Sequence, residues 1–306
     1  MLDVAIVIVS WNVRDYLDKC LRSVNSEIAR SGLDTKVWVV DNASTDGTVE
    51  ILADLFPHVE LIVNQHNPGF GAANNQGMRA AAVFEPRYYF LLNPDTVVQP
   101  GALTHLFNCL EEHPQAAMAG ARLVYGSGRF QHSAFSFPGI RQLLFDLFPL
   151  PARLYESRFN GRYSRSQYRP DGEPFVIDHP LGATMMLRAE VFQTTQGFDE
   201  AFHMYCEEVD WCWRIHKANW QIYAVPAAEI VHYGGESTRQ AEVRSLVHLW
   251  RSRAMLYQRH HSRLKYRLGA YLVKIGMTRK AKQSSDPALK QAYQEIVDIW
   301  QNSDGG

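Results

Sequence analysis

Over the first hundred residues, continuous apolar runs alternate with stretches whose apolar positions recur at helical spacing. "VAIVIVS" is an unbroken, largely β-branched run, the pattern of a strand buried on both faces. "RDYLDKCLRSVNSEIARSG" follows with helical spacing and a glycine stop. "KVWVVDNAS" predicts a second strand, and "DGTVEILADLF" a second helix that closes before Pro57. "VELIVN" predicts a third strand, and "GFGAANNQGMRAAAV" opens on glycines and becomes an alanine-rich helix. "RYYFLLNPDTVV" predicts a fourth strand that ends in a polar turn. This alternation implies an α/β fold, a Rossmann-like, mostly parallel sheet with right-handed crossovers, flanked by helices.

Beyond it the pattern loosens. Residues 126–180 are rich in Arg, Tyr, Phe, Ser and Pro around one apolar patch, "LLFDLFPL", and read as a lid-like excursion with a short helix. "GATMMLRAEVF" predicts a strand running into a helix, and "EEVDWCWR" a further helix start. "QIYAVPAAEIVHYGGES" predicts a strand pair ending in a glycine turn, and the remainder is helical.

The chain has 306 residues, 46% of them hydrophobic and 21% charged, enough for one large domain with or without an appendage. A formal charge of -1 gives no reason to expect nucleic acid as a partner. That balance hides an asymmetry, because residues 244–282 hold eleven Lys or Arg and no Asp or Glu. With Leu, Met and Tyr interleaved, this basic segment reads either as an amphipathic element for an anionic membrane surface or as helices packing on the domain or across a homodimer. Four cysteines make no disulfide framework, so a reducing compartment fits. The N-terminus lacks a basic region and a cleavage site and is read as a strand, not a signal peptide. No apolar run approaches the ~20 residues that span a bilayer. The expectation is a cytoplasmic chain, or one peripheral to the inner face of the membrane.

Ligands of open α/β sheets bind beyond the carboxyl ends of the strands. Polar residues follow all four predicted strands: Ser10 and Asn12, Asp41 and Asn42, Asn64 and Asn67, Asn93 and Asp95. Each could be a turn former; together they suggest a binding rim. An acid at a strand tip, such as Asp41, can accept from a base or ribose, and the next helix N-terminus favours anions. "SWNVRDY" stands where a dinucleotide-binding oxidoreductase would carry GxGxxG, and no P-loop motif is present. Asp95 is either a turn aspartate or part of a divalent-cation site completed by a diphosphate.

"HMYCEEVDWCWRIHKANW" crowds acids, thiols, imidazoles and indoles together. Zinc is disfavoured, since five residues separate Cys206 from Cys212 and on a helix the two thiols diverge by about 120°. Asp210 and Arg214, four residues apart, suit an intrahelical ion pair as well as a functional role. Trp211 could be core or a platform for a sugar ring.

The ordered set "VSWN", "VVDNASTDGT", "NPGFGAANNQG", "LLNPDTVV", "LGATMMLRAEVF", "GFDEAFHMYCEEVDWCWR" and "VHYGGES", covering roughly residues 1–260, resembles the family 2 inverting glycosyltransferases of GT-A fold. Within that family it is most similar to bacterial rhamnosyltransferase-like members that build cell-surface polysaccharide. The resemblance implies a donor site of Ser10, Asn12, Asp41, Asn42, Asn67, Gly71, Asn74 and Asn93, with Asp41 on the base or ribose. Asn93 replaces the first aspartate of the family's DxD motif, and Asn74 stands where many relatives carry a phosphate-directed arginine. Asp95 and His232 would hold Mg²⁺ or Mn²⁺ beside the donor diphosphate. Glu208, where relatives carry Asp, would be the catalytic base, with Glu207 the alternative one residue away. Gly182, Ala183, Glu207, Asp210, Trp211 and Arg214 would support the acceptor side.

The implied partners are a dTDP-, UDP- or GDP-sugar donor and a glycan or polyprenyl-linked acceptor. The implied organisation is a GT-A domain over residues 1–240 and a basic helical extension over 241–306. The domain divides into a nucleotide-binding half (1–100) and an acceptor half (101–240) with a lid-like 126–178. Two other readings stay open: a sugar nucleotidyltransferase, and a nucleotide-sugar-binding protein without activity. The first usually shows a glycine-rich loop with a basic residue after the first strand, absent here. The second is suggested by Glu208 and Asn93 standing where relatives have Asp.

Overall fold

The computed structural model describes residues 2–234 and 242–302. In chain order the elements begin β1 (Val4–Ser10), α1 (Arg14–Ser31), β2 (Thr35–Asp41), α2 (Thr48–Leu55), β3 (Glu60–Val63), α3 (Phe70–Ala81), β4 (Tyr88–Leu92) and β5 (Thr96–Val98). There follow α4 (Ala102–Glu112), β6 (Ala116–Val124), β7 (Phe130–Gln131), β8 (Ala134–Phe135), α5 (Ile140–Leu147), α6 (Ala152–Tyr155), β9 (Phe175–Ile177) and β10 (His179–Pro180). The last are β11 (Thr184–Arg188), α7 (Ala189–Thr195), α8 (Glu207–Lys217), β12 (Gln221–His232), α9 (Glu242–His260), α10 (Arg263–Gln283) and α11 (Pro287–Asn302).

The main sheet runs β3-β2-β1-β4-β11-β6-β12-β5, with β7 on β6 and β9 on β12. β1 is apolar at almost every position because both its faces are covered. Val4, Ile6 and Ile8 enter one core with Leu17 and Leu21 of α1 and Leu106 of α4. Ala5, Val7 and Val9 enter a second, with Met78 of α3 and Trp211 and Ile215 of α8.

The sheet is parallel from β3 to β4, as the alternation predicts. Beyond β4 it is mixed, which corrects the mostly parallel expectation: β11 runs antiparallel to both β4 and β6, whereas β6 and β12 are parallel. The chain enters β11 at the rim where β4 ends, with Thr184 opposite Leu92, so it must run back down the sheet. The expected strand pair at the end is one strand, β12. Its register on β6 shifts between Val225 and Glu229, around Pro226, which lacks the N–H a regular ladder needs.

Residues 126–180 are tied down at several places, β7 on β6 among them. β9 pairs with β12, and Leu143 and Leu147 of α5 enter a third core with Trp250, Tyr257, Val273 and Trp300 of the C-terminal helices. Trp300 donates from Nε1 to the Trp250 carbonyl at 3.0 Å, and the Tyr266 ring stacks on it. Among the described residues no helix is long and apolar enough to cross a membrane. The expected boundary at 240/241 and the last three residues of "VHYGGES" lie outside the described residues.

Candidate active site

The parallel strands deliver their polar tips to one rim. Ser10 and Asp41 are register partners at the ends of β1 and β2, and both side chains are buried. Asp41 Oδ2 accepts from the Ser44 N–H at 2.9 Å, while Asp41 Oδ1 and Ser10 Oγ are buried with no hydrogen-bond partner. Buried polar atoms in that state are rare in native proteins, so the pair suits a ligand that satisfies them. Asn12, in the left-handed region at φ 53°, accepts from the Thr45 N–H at 2.8 Å and donates its own N–H to Ser44 Oγ. Its geometry fastens the loop after β1 to the loop after β2. A relay of amides continues along the rim: Asn64 Nδ2 donates to Asn42 Oδ1 at 2.9 Å, and Asn42 Nδ2 to Asn67 Oδ1 at 3.2 Å. Asn67 Oδ1 also accepts from the Gly69 N–H, ahead of α3.

Over this rim opens a cleft of about 280 Å³. Of the residues expected in the site, Asn42, Asn67, Asn93, Asp95, Gly182, Ala183, Glu207, Glu208 and His232 line it together. Trp11, Phe70, Met204 and Tyr205 join them; they stand within the quoted motifs, but nothing in those motifs gave them a role.

Asp95 follows the Asn-Pro turn at the end of β4, and β12 carries His232 to meet it. His232 Nε2 lies 3.4 Å from Asp95 Oδ1. The other ring nitrogen, Nδ1, is 3.3 Å from Gln131 Oε1, and Asp95 Oδ2 accepts from the Gly234 N–H at 3.1 Å. An imidazole held through one nitrogen with the other facing a carboxylate is the donor arrangement of a metal-binding histidine. Among the described residues no group of three or more His, Cys, Asp or Glu could hold a cation alone. One carboxylate and one imidazole fit a divalent cation that takes its remaining oxygens from a phosphate and water.

Opposite stands α8. Tyr205 (φ 68°) and Cys206 (φ 66°) are consecutive non-glycine residues in the left-handed region directly before it, a strained entry of the kind that clusters at functional sites. Gly69 makes room for this turn: at φ 99°, a Cβ there would lie 2.2 Å from the His203 carbonyl oxygen. Glu207 is buried beside Gly71, its Oε2 without a partner. Glu208 is half-buried and packs over Gly182, where a Cβ would meet its Cγ at 3.5 Å. Burial raises the Glu207 carboxyl well above its usual range, and the neighbouring Glu208 charge adds to this. Burial raises Glu208 as well. Protonatable carboxyls of this kind in a cleft are acid–base candidates.

One turn below, Asp210 Oδ2 accepts from Arg214 Nε at 2.8 Å, and Asp210 Oδ1 is 2.8 Å from His260 Nε2 of α9. Burial alone would raise the Asp210 carboxyl; the hydrogen bonds from His260 and Arg214 outweigh it and hold it below its usual range. Arg214 also donates to the carbonyls of Thr195 and Gly197, clasping the loop that leads to α8. Asp210 and Arg214 thus form the intrahelical pair and support the helix from beneath the cleft.

Several expected residues stand away from the cleft. Trp211 is fully buried, with its Nε1 donating to Thr195 Oγ1 at 2.6 Å and its ring against Phe198, which makes it core and not a sugar platform. Asn74 turns its amide back to the Phe70 carbonyl at 3.0 Å, so an arginine-like reach to phosphate is absent there. Gly71 acts as a spacer under Phe198 and Glu207. The thiols part as the helical spacing predicts: Cys206 packs with Phe202 and Leu256, Cys212 with the sheet core. Asn75, outside the expected set, bonds both N–H and C=O of Phe198 from 123 residues away and pins α3 to the loop before α8.

The model of "Glycosyl transferase family 2" matches residues 5–193. The chain is 28% identical over 246 residues to the N-acetylglucosaminyl-diphospho-decaprenol L-rhamnosyltransferase of Mycobacterium tuberculosis, covering 76% of each chain. It is 25% identical over 244 residues to the rhamnosyltransferase WbbL of Escherichia coli K12, covering 77% of this chain and 85% of that one. In fold it is similar to GalNAc-T7, crystallised with UDP, GalNAc and Mn²⁺, at a TM-score of 0.56 and 15% identity, covering 76% of this chain and 43% of that one. With the family model matched over more than half of its length, the chain belongs to glycosyl transferase family 2.

Proposed function

We propose that the protein transfers a hexose, L-rhamnose by the reading that the two rhamnosyltransferases among its relatives favour, from a nucleoside-diphosphate sugar to a glycan or lipid-linked acceptor in cell-surface polysaccharide synthesis. The observation that carries this is the cleft itself, with Glu208 on one wall and the Asp95–His232 pair on the other. A base and a phosphate-side site sharing one cleft suit a single displacement at an anomeric carbon.

Ser10 Oγ and Asp41 Oδ1 would take up the polar edge of the nucleoside. Glu208 removes the proton of an acceptor hydroxyl; that oxygen bonds to the anomeric carbon as the bond to the diphosphate oxygen breaks, and configuration inverts. The half-buried Glu208 is more open to an acceptor than Glu207, which is buried with its Cβ beside Gly71. Mg²⁺ or Mn²⁺ bound at Asp95 and His232 would offset the charge of the departing nucleoside diphosphate. The donor half is residues 1–100 and the acceptor half begins beyond them.

The test is Glu208→Gln assayed in two ways. Transfer falls by about 10²- to 10⁴-fold, while calorimetric binding of the nucleotide sugar persists. Undiminished turnover in that variant overturns the assignment of the base.

A further inference from the structure

Helix α10 turns one face inward and leaves the other to solvent. Inward, Tyr266, Val273 and Met277 enter the third core, and Gly276 lies so close to α5 that an added Cβ would fall 2.7 Å from Leu147. Outward, Leu264, Leu268, Tyr271 and Ile275 recur at helical spacing with exposures of 78, 46, 62 and 40%. Single exposed apolar residues are ordinary, but four on one helix face form a stripe. The same helix carries seven Lys or Arg and no Asp or Glu. Lys280 turns in to donate to the Asp146 carbonyl; the other six are exposed. Lys274, Arg279 and Lys282 border a shallow surface groove that they share with Tyr271 and Ile275.

We propose that this face of α10 docks on an anionic lipid bilayer. The aliphatic and tyrosine side chains leave water at the level of the headgroups, while the long basic side chains reach the lipid phosphates beside them. Charge decides against a second copy of this chain as the occupant. A two-fold contact would set this purely cationic face against itself, with no acid on α10 to offset either side. The inference deepens the proposed function, in that a lipid-linked acceptor requires the enzyme to meet the membrane that holds it.

The experiment is flotation of the intact protein with vesicles of phosphatidylcholine and phosphatidylglycerol, against phosphatidylcholine alone, over a salt series. The protein partitions onto the phosphatidylglycerol vesicles, and added salt releases it. Lys274→Glu combined with Arg279→Glu lowers partitioning by about fivefold or more for each cation removed. Leu268→Asp with Ile275→Asp lowers it as well, and thermal melting of both variants stays that of the parent. A parent protein that ignores phosphatidylglycerol, or variants that partition as the parent does, overturn the proposal. So does a dimer in sedimentation velocity that the Leu268→Asp, Ile275→Asp pair dissociates, when the parent shows no lipid binding. Vesicle binding is read without turnover, so a protein that binds vesicles and transfers no sugar refutes the transferase reading alone.

Discussion

His260 Nε2 lies 2.8 Å from Asp210 Oδ1, joining the last turn of α9 to the first turn of α8, and both side chains are almost wholly buried. The Trp213 ring stacks on His260 with centroids 4.6 Å apart, so the imidazole is held flat under the helix that carries Glu207 and Glu208. The C-terminal helices therefore brace the helix that carries the two glutamates, and α9 adds Arg259, 3.7 Å from the same Asp210 oxygen, and Ser252, whose hydroxyl donates to the Met204 carbonyl at 2.7 Å.

Removing one partner of a buried pair leaves the other without compensation. Asp210→Asn is expected to destabilise the fold by about 3 kcal/mol, and His260→Ala by about 1–3 kcal/mol. In a double-mutant cycle by urea unfolding the two couple by about 1 kcal/mol or more; simple additivity would deny the contact any energetic weight. Because the folded carboxyl sits below its ordinary value of 3.8, its contribution is present above that value and lost as pH falls below it. Asp210→Asn should therefore lose less stability than the parent on acidification through that window.

The glutamate pair carries the opposite sign. Burial raises both carboxyls above the ordinary 4.5, so the folded chain holds their protons more tightly than the unfolded chain does. The stability this contributes is full below pH 4.5 and is lost as pH rises through the folded values. Glu207→Gln removes a buried carboxyl that costs free energy to ionise and should raise stability at neutral pH by on the order of 1 kcal/mol. A base must be ionised to act, so turnover rises with pH along a limb displaced upward from 4.5. That limb persists in Glu207→Gln and disappears in Glu208→Gln. The reverse outcome would move the base one residue back along α8.

At the other wall, Gln131 tests the cation. With Gln131 Oε1 3.3 Å from His232 Nδ1, Gln131→Ala frees the ring that Asp95 faces. Mn²⁺ affinity, read by paramagnetic resonance in the presence of nucleoside diphosphate, should weaken by about 10- to 100-fold. EDTA should stop transfer, and Mg²⁺ or Mn²⁺ restore it. Full activity in EDTA, with no Mn²⁺ signal, would refute the metal role of Asp95 and His232.

What the chain revealed before folding follows from how local each signal is. β1, β2 and β4 were legible because a strand covered on both faces is apolar at nearly every position, and Ser10, Asp41 and Asn93 mark where such runs end. The reversed direction of β11 was not, since "TMMLR" is equally apolar whichever way it runs. The Asp210–Arg214 pair was visible at helical spacing; His260, fifty residues on, left no trace beside it. "LLFDLFPL" stood out as apolar, but its partners Trp250 and Trp300 lie about a hundred residues or more away in sequence. Trp11, Phe70 and Tyr205 carried no mark separating an aromatic that lines a cleft from one that fills a core.

Ser10 and Asp41 offer the most direct reading of the donor. Both present a buried polar atom without a partner at adjoining strand tips, and such atoms cost about 1–3 kcal/mol each until something satisfies them. A nucleoside with a hydrogen-bond donor on the edge facing Asp41 would recover that cost, whereas one presenting only acceptors would not. Uracil, thymine and guanine all carry a ring N–H that can meet this oxygen, so a thermal-shift series with UDP, dTDP and GDP reads which of them the rest of the site admits; a ligand at a hundred times its Kd stabilises by about 2.7 kcal/mol. Asp41→Asn turns an obligate acceptor into a group that also donates, and should erase most of the preferred nucleotide's shift while leaving the unliganded melt at or above that of the parent. If Asp41→Asn keeps the full shift, the unpaired oxygen does not face the nucleoside, and the donor's base must be read by the Asn42–Asn67 side of the cleft instead.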